Sequence, residues 1–336
     1  MPQKRRPSTK RVLRLFCGSS HKNPKTLIVS KSEYWIFNKN IITSSIIGYG
    51  LDKITLIIDF HTHIFPQWFQ TERDRLIQQD VTFKELYSNP NSKLATVEDL
   101  LCTMARGGID RAVVMGIGWT DLGLAREVND YLIEAVRNHP DQLTGFAGFN
   151  PAWGKAGTTE ANRCVLAGLQ GFGELHPDTQ GFDLGDESTM KPLLEIAQEN
   201  SLVITTHSSE PTGHVYPGKG QTTPNVLWRF IQNAREFPKV KIVCAHWGGG
   251  LPFYALMPEV KDSLTNVYFD TSASPFLYNP EIFKIVERLV GAEHILFGSD
   301  YPLLTPMRSL AHMRETSLNE STQKTIHTSG FRLLGL

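Results

Sequence analysis

From residue 56 onward, short apolar runs of strand type alternate with longer stretches whose apolar residues recur at helical spacing. Eight runs are of the first kind: residues 56–60, 111–117, 143–150, 169–175, 202–206, 240–245, 266–271 and 295–298. Six of them stop where Gly, Pro or His follows. Helices are predicted between them. Thr96 opens one, with Asp99 three residues on as a variant capping box; residues 121–138 carry Leu122, Val128, Leu132 and Val136 on one stripe; residues 280–289 follow Asn279 as N-cap. Eight strand-and-helix units predict an α/β fold, a (β/α)8 TIM barrel. An open doubly wound sheet is the alternative. Its glycine fingerprint is missing, because Gly248, Gly249 and Gly250 follow a strand without G-x-G-x-x-G spacing, and no G-x-x-x-x-G-K-[ST] phosphate loop occurs.

Upstream of this rhythm the pattern dissolves. The first 55 residues carry 11 Lys or Arg against Glu33 and Asp52 alone, are rich in Ser, Asn and Thr, and hold neither period. Residues 1–53 are therefore read as a basic extension to a barrel of residues 54–336. A flexible tail, an upstream stretch translated from a misassigned start and an organelle-targeting peptide compete for it. Over the whole chain Lys plus Arg equal Asp plus Glu at 34 each, and beyond residue 55 there are 23 basic residues against 32 acidic ones. That balance offers no basic face for nucleic acid. No apolar run approaches the roughly 20 residues of a membrane span. Cys17, Cys102, Cys164 and Cys244 are widely spaced, without C-x-x-C, and are expected to be reduced thiols in a soluble cytoplasmic protein. A small-molecule substrate is the expected partner, and a homodimer stays open.

The chemistry lies where the strands end. In Ile57-Ile58-Asp59-Phe60-His61-Thr62-His63 an apolar strand finishes in two histidines two residues apart, which share a face. An H-x-H pair by itself is more often two loop histidines than a metal site. Three further strands end alike: Val203-Ile204-Thr205-Thr206 in His207, Ile242-Val243-Cys244-Ala245 in His246, and Ile295-Leu296-Phe297-Gly298-Ser299 in Asp300. Burying ionisable groups where Val would serve costs several kcal/mol unless they are paired or bound to a cation. One shared ion at the C-terminal mouth of a barrel supplies the common cause. Imidazole and carboxylate donors suit Zn2+ first, with Mn2+, Fe2+ or Ni2+ as alternatives.

With Gly171-Phe172-Gly173-Glu174-Leu175-His176-Pro177, Ala245-His246-Trp247-Gly248-Gly249-Gly250 and Phe297-Gly298-Ser299-Asp300-Tyr301-Pro302, these strand ends resemble the amidohydrolase superfamily. The resemblance is closest to its decarboxylase-and-hydrolase branch related to aminocarboxymuconate-semialdehyde decarboxylase, and runs over residues 54–304. It implies a barrel holding a divalent metal through His61, His63, His207 and Asp300, with His246 acting on substrate or serving as a ligand. The chain departs from many members at the fourth strand, where Glu174 stands in place of a carboxylated Lys. Glu174 is either a ligand or bridge, or an acceptor that orients a ligand histidine, so one ion or two are open.

The leading expectation is a hydrolase that attacks a C–O or C–N bond of a small lactone, amide or related compound with metal-activated water. Asp300 would be both ligand and general base, and His246 would steady the oxyanion or deliver a proton. The alternative is a non-oxidative decarboxylase, in which His246 and Asp300 protonate the carbon that loses CO2 and Arg73, Arg75 or Arg106 meets the carboxylate. A barrel used only for binding would have lost a ligand, and none is lost. His176, His214, Trp247 and Tyr301 are read as substrate-binding, with packing as the competing role for His176. Trp68, Phe69, Trp119 and Phe253 join Trp247 and Tyr301 as aromatic walls or core. Asp270 is read as a cap more readily than a mouth residue, and Asp59 as a hydrogen-bonding residue behind the histidines.

Overall fold

The computed structural model describes residues 55–336, so the extension expected at residues 1–53 lies outside the described residues. Eight parallel strands form one sheet in chain order: β1 (Ile58–His63), β2 (Arg111–Met115), β3 (Leu143–Ala147), β4 (Gly171–Leu175), β5 (Val203–Thr206), β6 (Lys241–Cys244), β7 (Val267–Asp270) and β8 (Ile295–Leu296). The Phe60 N–H donates to the Phe297 carbonyl at 2.7 Å, and the His63 N–H to the Tyr301 carbonyl at 2.7 Å. These bonds bring the end of the sheet back to its beginning, and the fold is a (β/α)8 barrel. The helices start where the sequence places their caps. Thr96 and Asp99 form the capping box of helix Val97–Gly107, and Asp121 accepts the Leu124 N–H at the head of helix Leu122–Asn138.

Ile58, Phe60, Val113, Met115, Phe146, Val203, Val243 and Leu296 fill the barrel interior as one buried cluster, with Phe60 reaching Phe146 edge-on at 5.9 Å. Strict alternation would then turn His61 away from the side that Phe60 faces. It does not, because the β1–β2 register shifts between Asp59 and Thr62. The bulge resets the alternation and aims the side chains at the mouth. Below, helix Glu320–Leu334 seats on β1 through Gly330, where an added Cβ would lie 2.7 Å from both Ile58 Cγ2 and Phe60 Cδ2. Gly330→Ala is expected to cost about 1–3 kcal/mol through overpacking. A urea transition at the parental midpoint would show that the helix has room to give.

Cys164 and Cys244 are buried free thiols. Cys17 lies outside the described residues. Among the described residues no helix is long and apolar enough to cross a membrane.

Candidate active site

At the C-terminal mouth, β1 delivers His61 and His63 with their Nε2 atoms 3.1 Å apart. Both rings are held from behind. His61 Nδ1 lies 2.8 Å from Asp270 Oδ2, and His63 Nδ1 lies 3.3 Å from the Met115 carbonyl. Since a carboxylate and a carbonyl only accept, each Nδ1 carries the proton and each Nε2 of the neutral ring presents a bare lone pair. His246 repeats the arrangement, its Nδ1 facing the Ser272 carbonyl at 3.2 Å. His207 donates from Nδ1 to Glu174 Oε1 at 3.0 Å, and its Nε2 is buried without a hydrogen-bond partner.

Two carboxylates face these lone pairs. Asp300 Oδ1 lies 3.4 Å from His63 Nε2 and 3.7 Å from His61 Nε2, while Glu174 Oε2 lies 3.5 Å from His61 Nε2. Glu174 Oε1 is also 3.4 Å from His246 Nε2. His61, Glu174 and His246 form one group able to hold a metal ion, and His61, His63 and Asp300 form another. A buried set of imidazole lone pairs and acidic oxygens turned on one another calls for positive charge, so the donor set fits a divalent cation.

The same demand appears in the proton affinities. Burial opposes charge on His61, yet the Asp270 and Glu174 carboxylates raise its pKa well above the ordinary value. His246 is opposed by burial too and rises to about 9 beside Glu174 and Asp300. Burial would push Glu174 and Asp300 up. The neighbouring histidines overcome it, holding Glu174 well below its usual range and Asp300 at about 2. Protons thus take up part of the positive charge that the pocket favours.

Backbone geometry fixes the reach of these groups. His246 and Asp300 are non-glycine residues at positive φ, 54° and 66°. Such conformations cost about 1–2 kcal/mol and need outside support. Asp300 receives it from its own N–H, bonded to the His61 carbonyl at 2.9 Å, and His246 from its N–H, bonded to Asp270 Oδ1 at 3.1 Å. The turn after His246 also requires glycine at position 249, where a Cβ would lie 2.3 Å from the Ser209 carbonyl oxygen.

Asp270 is therefore a mouth residue. It is fully buried, faces His61 with one oxygen and takes the His246 and Ser272 N–H groups with the other, which is more than the capping role that its place at a strand end suggests. Only the tertiary pairing of β1, β6 and β7 brings these partners together. Asp59 accepts the Ser299 N–H at 2.9 Å and the His61 N–H at 3.3 Å, behind the histidines as expected. Burial raises its pKa to about 7.

Of the residues expected to touch substrate, the structure brings His176 beside the cluster, stacked on the His207 ring at 4.3 Å. Burial, then the His207 charge, lower its pKa to about 3. His214 is exposed on the loop after β5, near Tyr216. Trp247 is fully buried, donates to Ser274 Oγ and packs on Phe283, and Tyr301 is fully buried with its hydroxyl toward Lys93 and Thr103. Both rings serve the packing around the mouth. Of the arginines considered for a carboxylate, two are engaged elsewhere: Arg73 binds the carbonyls of Tyr87, Asn89 and Ser92, and Arg75 binds Glu72 and Gln79. A residue that composition alone does not single out is Tyr87, a buried phenol close enough to Asp300 and Glu174 for both carboxylates to raise its pKa after burial has done so.

An amidohydrolase family model matches residues 58–315, and the chain belongs to that family. Among curated relatives, the gamma-resorcylate decarboxylase of Polaromonas sp. (strain JS666 / ATCC BAA-500) is 24% identical over 60% of this chain and 73% of its own length. The 2-amino-3-carboxymuconate-6-semialdehyde decarboxylase of Dictyostelium discoideum is 21% identical over 84% and 90%. Among solved structures, the 5-carboxyvanillate decarboxylase of Sphingomonas paucimobilis superposes with a TM-score of 0.69 at 15% identity, covering 84% of this chain and 99% of that one. A dihydroxybenzoic acid decarboxylase of Polaromonas sp. JS666, solved with bound manganese, superposes with a TM-score of 0.65 at 20% identity over 84% and 98%.

These similarities correct the expectation of a hydrolase. The four similar proteins named above are decarboxylases, the reaction first read as the alternative. Strand-end histidines could not separate the two, because one barrel-mouth cation polarises the substrate of either reaction.

Proposed function

We propose that this chain is a metal-dependent, non-oxidative decarboxylase of a small aromatic or unsaturated carboxylic acid. The observation that carries the reading is the buried group of His61, His63, Glu174, His246 and Asp300 at the mouth of an amidohydrolase barrel whose relatives are named as decarboxylases. A bound cation would orient the acid and draw electron density from it. His61, His63 and Asp300 are the first choice to hold it, with Glu174 closing the set and receiving His207 from behind. A single ion is favoured. The two groups able to bind metal share His61, whose Nδ1 is taken by Asp270 and whose Nε2 offers one lone pair. Manganese, present in one of the similar structures, and zinc both suit mixed imidazole and carboxylate donors.

The reaction needs a proton at the carbon that releases CO2. His246 follows β6 and Asp300 follows β8, and both face the cluster, with His246 Nε2 3.4 Å from Glu174 Oε1 and Asp300 Oδ1 3.7 Å from His61 Nε2. His246 is fixed through Nδ1 and its backbone N–H, so its Nε2 is the atom that gives or holds a proton. The test is a panel of aromatic and muconate-type acids, with lactones and amides alongside, given to protein loaded with Mn2+ or Zn2+. CO2 release that disappears on chelation is the expected result. Hydrolysis of a lactone or amide without CO2 from any acid would overturn the assignment.

A further inference from the structure

The side chains of the cation-holding group are largely closed off from solvent: His61 is 0% exposed, His63, Glu174, His207 and His246 are 6–8% exposed, and Asp300 is highest at 14%. Anything bound among them is mostly buried too, and it enters past whatever covers the mouth. Part of that cover is residues 207–223, which join β5 to helix Pro224–Ala234 without helix or strand, a length at which loops are commonly functional. The ends of this loop are pinned together. The Ser209 N–H donates to the Thr222 carbonyl at 3.0 Å, the Gly220 N–H to Ser209 Oγ at 3.0 Å, and Asp178 accepts from the Thr222 N–H and hydroxyl at 3.2 and 3.0 Å. Residues 210–219 form an Ω-shaped loop beyond this neck. Little holds them there. Residues 211–215 are all exposed, Val215 at 90%, and the Lys219 ammonium bonds to carbonyls of the loop itself, those of Thr212 and His214.

The tip nevertheless lies over the site. A Cβ at Gly218 would be 2.7 Å from Leu86 Cδ2 and 3.7 Å from His176 Nε2, so the tip sits above the stacked rings of His176 and His207. Nearer the neck, Glu210 is met by Tyr216 and by Tyr278 of the loop after β7. Burial, then Glu210 and lastly Asp300 raise the Tyr216 pKa, which agrees with a ring turned toward the mouth. The tip is tied to the far wall by the Gly218 N–H, which donates to Glu85 Oε1 at 3.1 Å, on helix Val81–Tyr87.

We propose that residues 210–219 are a lid, which lifts about its neck to let metal and substrate reach the barrel mouth, and that Glu85 is the latch that holds it down. The inference concerns access and goes beyond the reading of the reaction, since a hydrolase and a decarboxylase would need the same passage. A segment with few buried apolar contacts opens at a free energy well below that of the whole fold. Closed, such a lid keeps water from the site; open, it admits the ligand. The pinned neck confines the motion to the tip. The latch joins a side chain outside the lid to a backbone N–H within it, so a change at position 85 shifts the closing equilibrium and leaves the lid's own sequence intact.

The test compares the wild-type chain with Glu85→Ala and Glu85→Gln. Hydrogen exchange, followed by mass spectrometry on peptides covering residues 208–223, reads the opening directly. Glu85→Ala should raise exchange there about three- to tenfold, the worth of one hydrogen bond, with the barrel strands unchanged. Glu85→Gln keeps an acceptor oxygen and should stay near the wild type. Manganese is the probe of passage. Its capture by chelator-stripped protein and its release to excess chelator should both quicken in Glu85→Ala, by the factor seen in exchange, with equilibrium affinity unaltered, because a gate scales both rates with the open fraction. Exchange in residues 210–219 no faster than in β5, or unmoved by Glu85→Ala, overturns the lid. Faster exchange with unchanged manganese rates overturns its role in access. Affinity lost through release alone would make the loop a support of the metal and overturns that role too. None of these readouts uses CO2, so their failure is distinct from failure of the acid panel.

Discussion

Asp300→Asn is expected to lower CO2 release by about 10²–10⁴-fold, the range for removing a positioned proton-transfer group. The substitution keeps the shape of the side chain and removes its charge. Asp300 is held ionised by His63, His61 and His246 against burial, at a pKa of about 2, and its Oδ1 lies 3.4 Å from His63 Nε2. An amide there is a weaker ligand and cannot take up a proton and pass it on to the reacting carbon. The variant should therefore lose bound metal as well as rate. The backbone bond from Asp300 N–H to the His61 carbonyl is untouched by the change, and asparagine tolerates positive φ, so the barrel should melt near the parental temperature. Wild-type turnover with wild-type metal content would remove Asp300 from the centre of the chemistry.

Asp270→Ala should have the largest effect on stability of any change at the mouth, about 3–5 kcal/mol, because it strips one partner from a buried charged network. The carboxylate is fully buried, with one oxygen 2.8 Å from His61 Nδ1 and the other shared by the His246 N–H, the Ser272 N–H and the Ser272 hydroxyl. Alanine takes the acceptor from His61 Nδ1 and the Ser272 N–H and leaves the His246 N–H with the Ser272 hydroxyl alone, at 3.2 Å. His61 also loses the bond that fixes its tautomer, so metal affinity should fall about 10–100-fold, as it does when the residue behind a ligand histidine is removed. Urea unfolding gives the first quantity and metal titration the second. Loss of stability with unaltered metal affinity would mean that His61 is oriented by its packing against Gly298 and not by Asp270.

The two predictions differ in how early they can be made. Asp300 stands out along the chain, since an apolar run ending in Gly-Ser-Asp wants a reason, and three other runs end in histidine. Asp270 also closes a strand, but an Asp at a strand end is an ordinary helix or turn cap, and nothing local distinguishes one that grips a histidine 209 residues away. Glu174 shows the same limit. Its place on β4 is legible, whereas its contacts with His61, His207 and His246 at once depend on how strands from different parts of the barrel meet.

The aromatic residues fail for a related reason. Trp247 and Tyr301 follow strand ends next to His246 and Asp300, which places their backbones at the mouth, but side-chain direction is set by local turns. Trp247 sits at φ 58° and turns into the core toward Ser274 and Phe283. Reaction type was the least accessible property, because hydrolysis and decarboxylation draw on the same cation-holding strand ends and differ in the substrate that the loops admit.

Hydrophobic periodicity, capping residues and the repeated polar strand ends by themselves determined the barrel, its eight strands and the residues His61, His63, His207, His246 and Asp300 at its mouth, since each is a short-range signal written along the chain. Tertiary structure alone decided that a bulge in β1 turns both histidines inward, that Asp270 and Glu174 hold them there, and that His176 lies stacked and unpaired beneath the β5 loop. Those facts follow from the register of strands and from loops crossing the mouth, where partners far apart in sequence meet, and no local pattern encodes such distances.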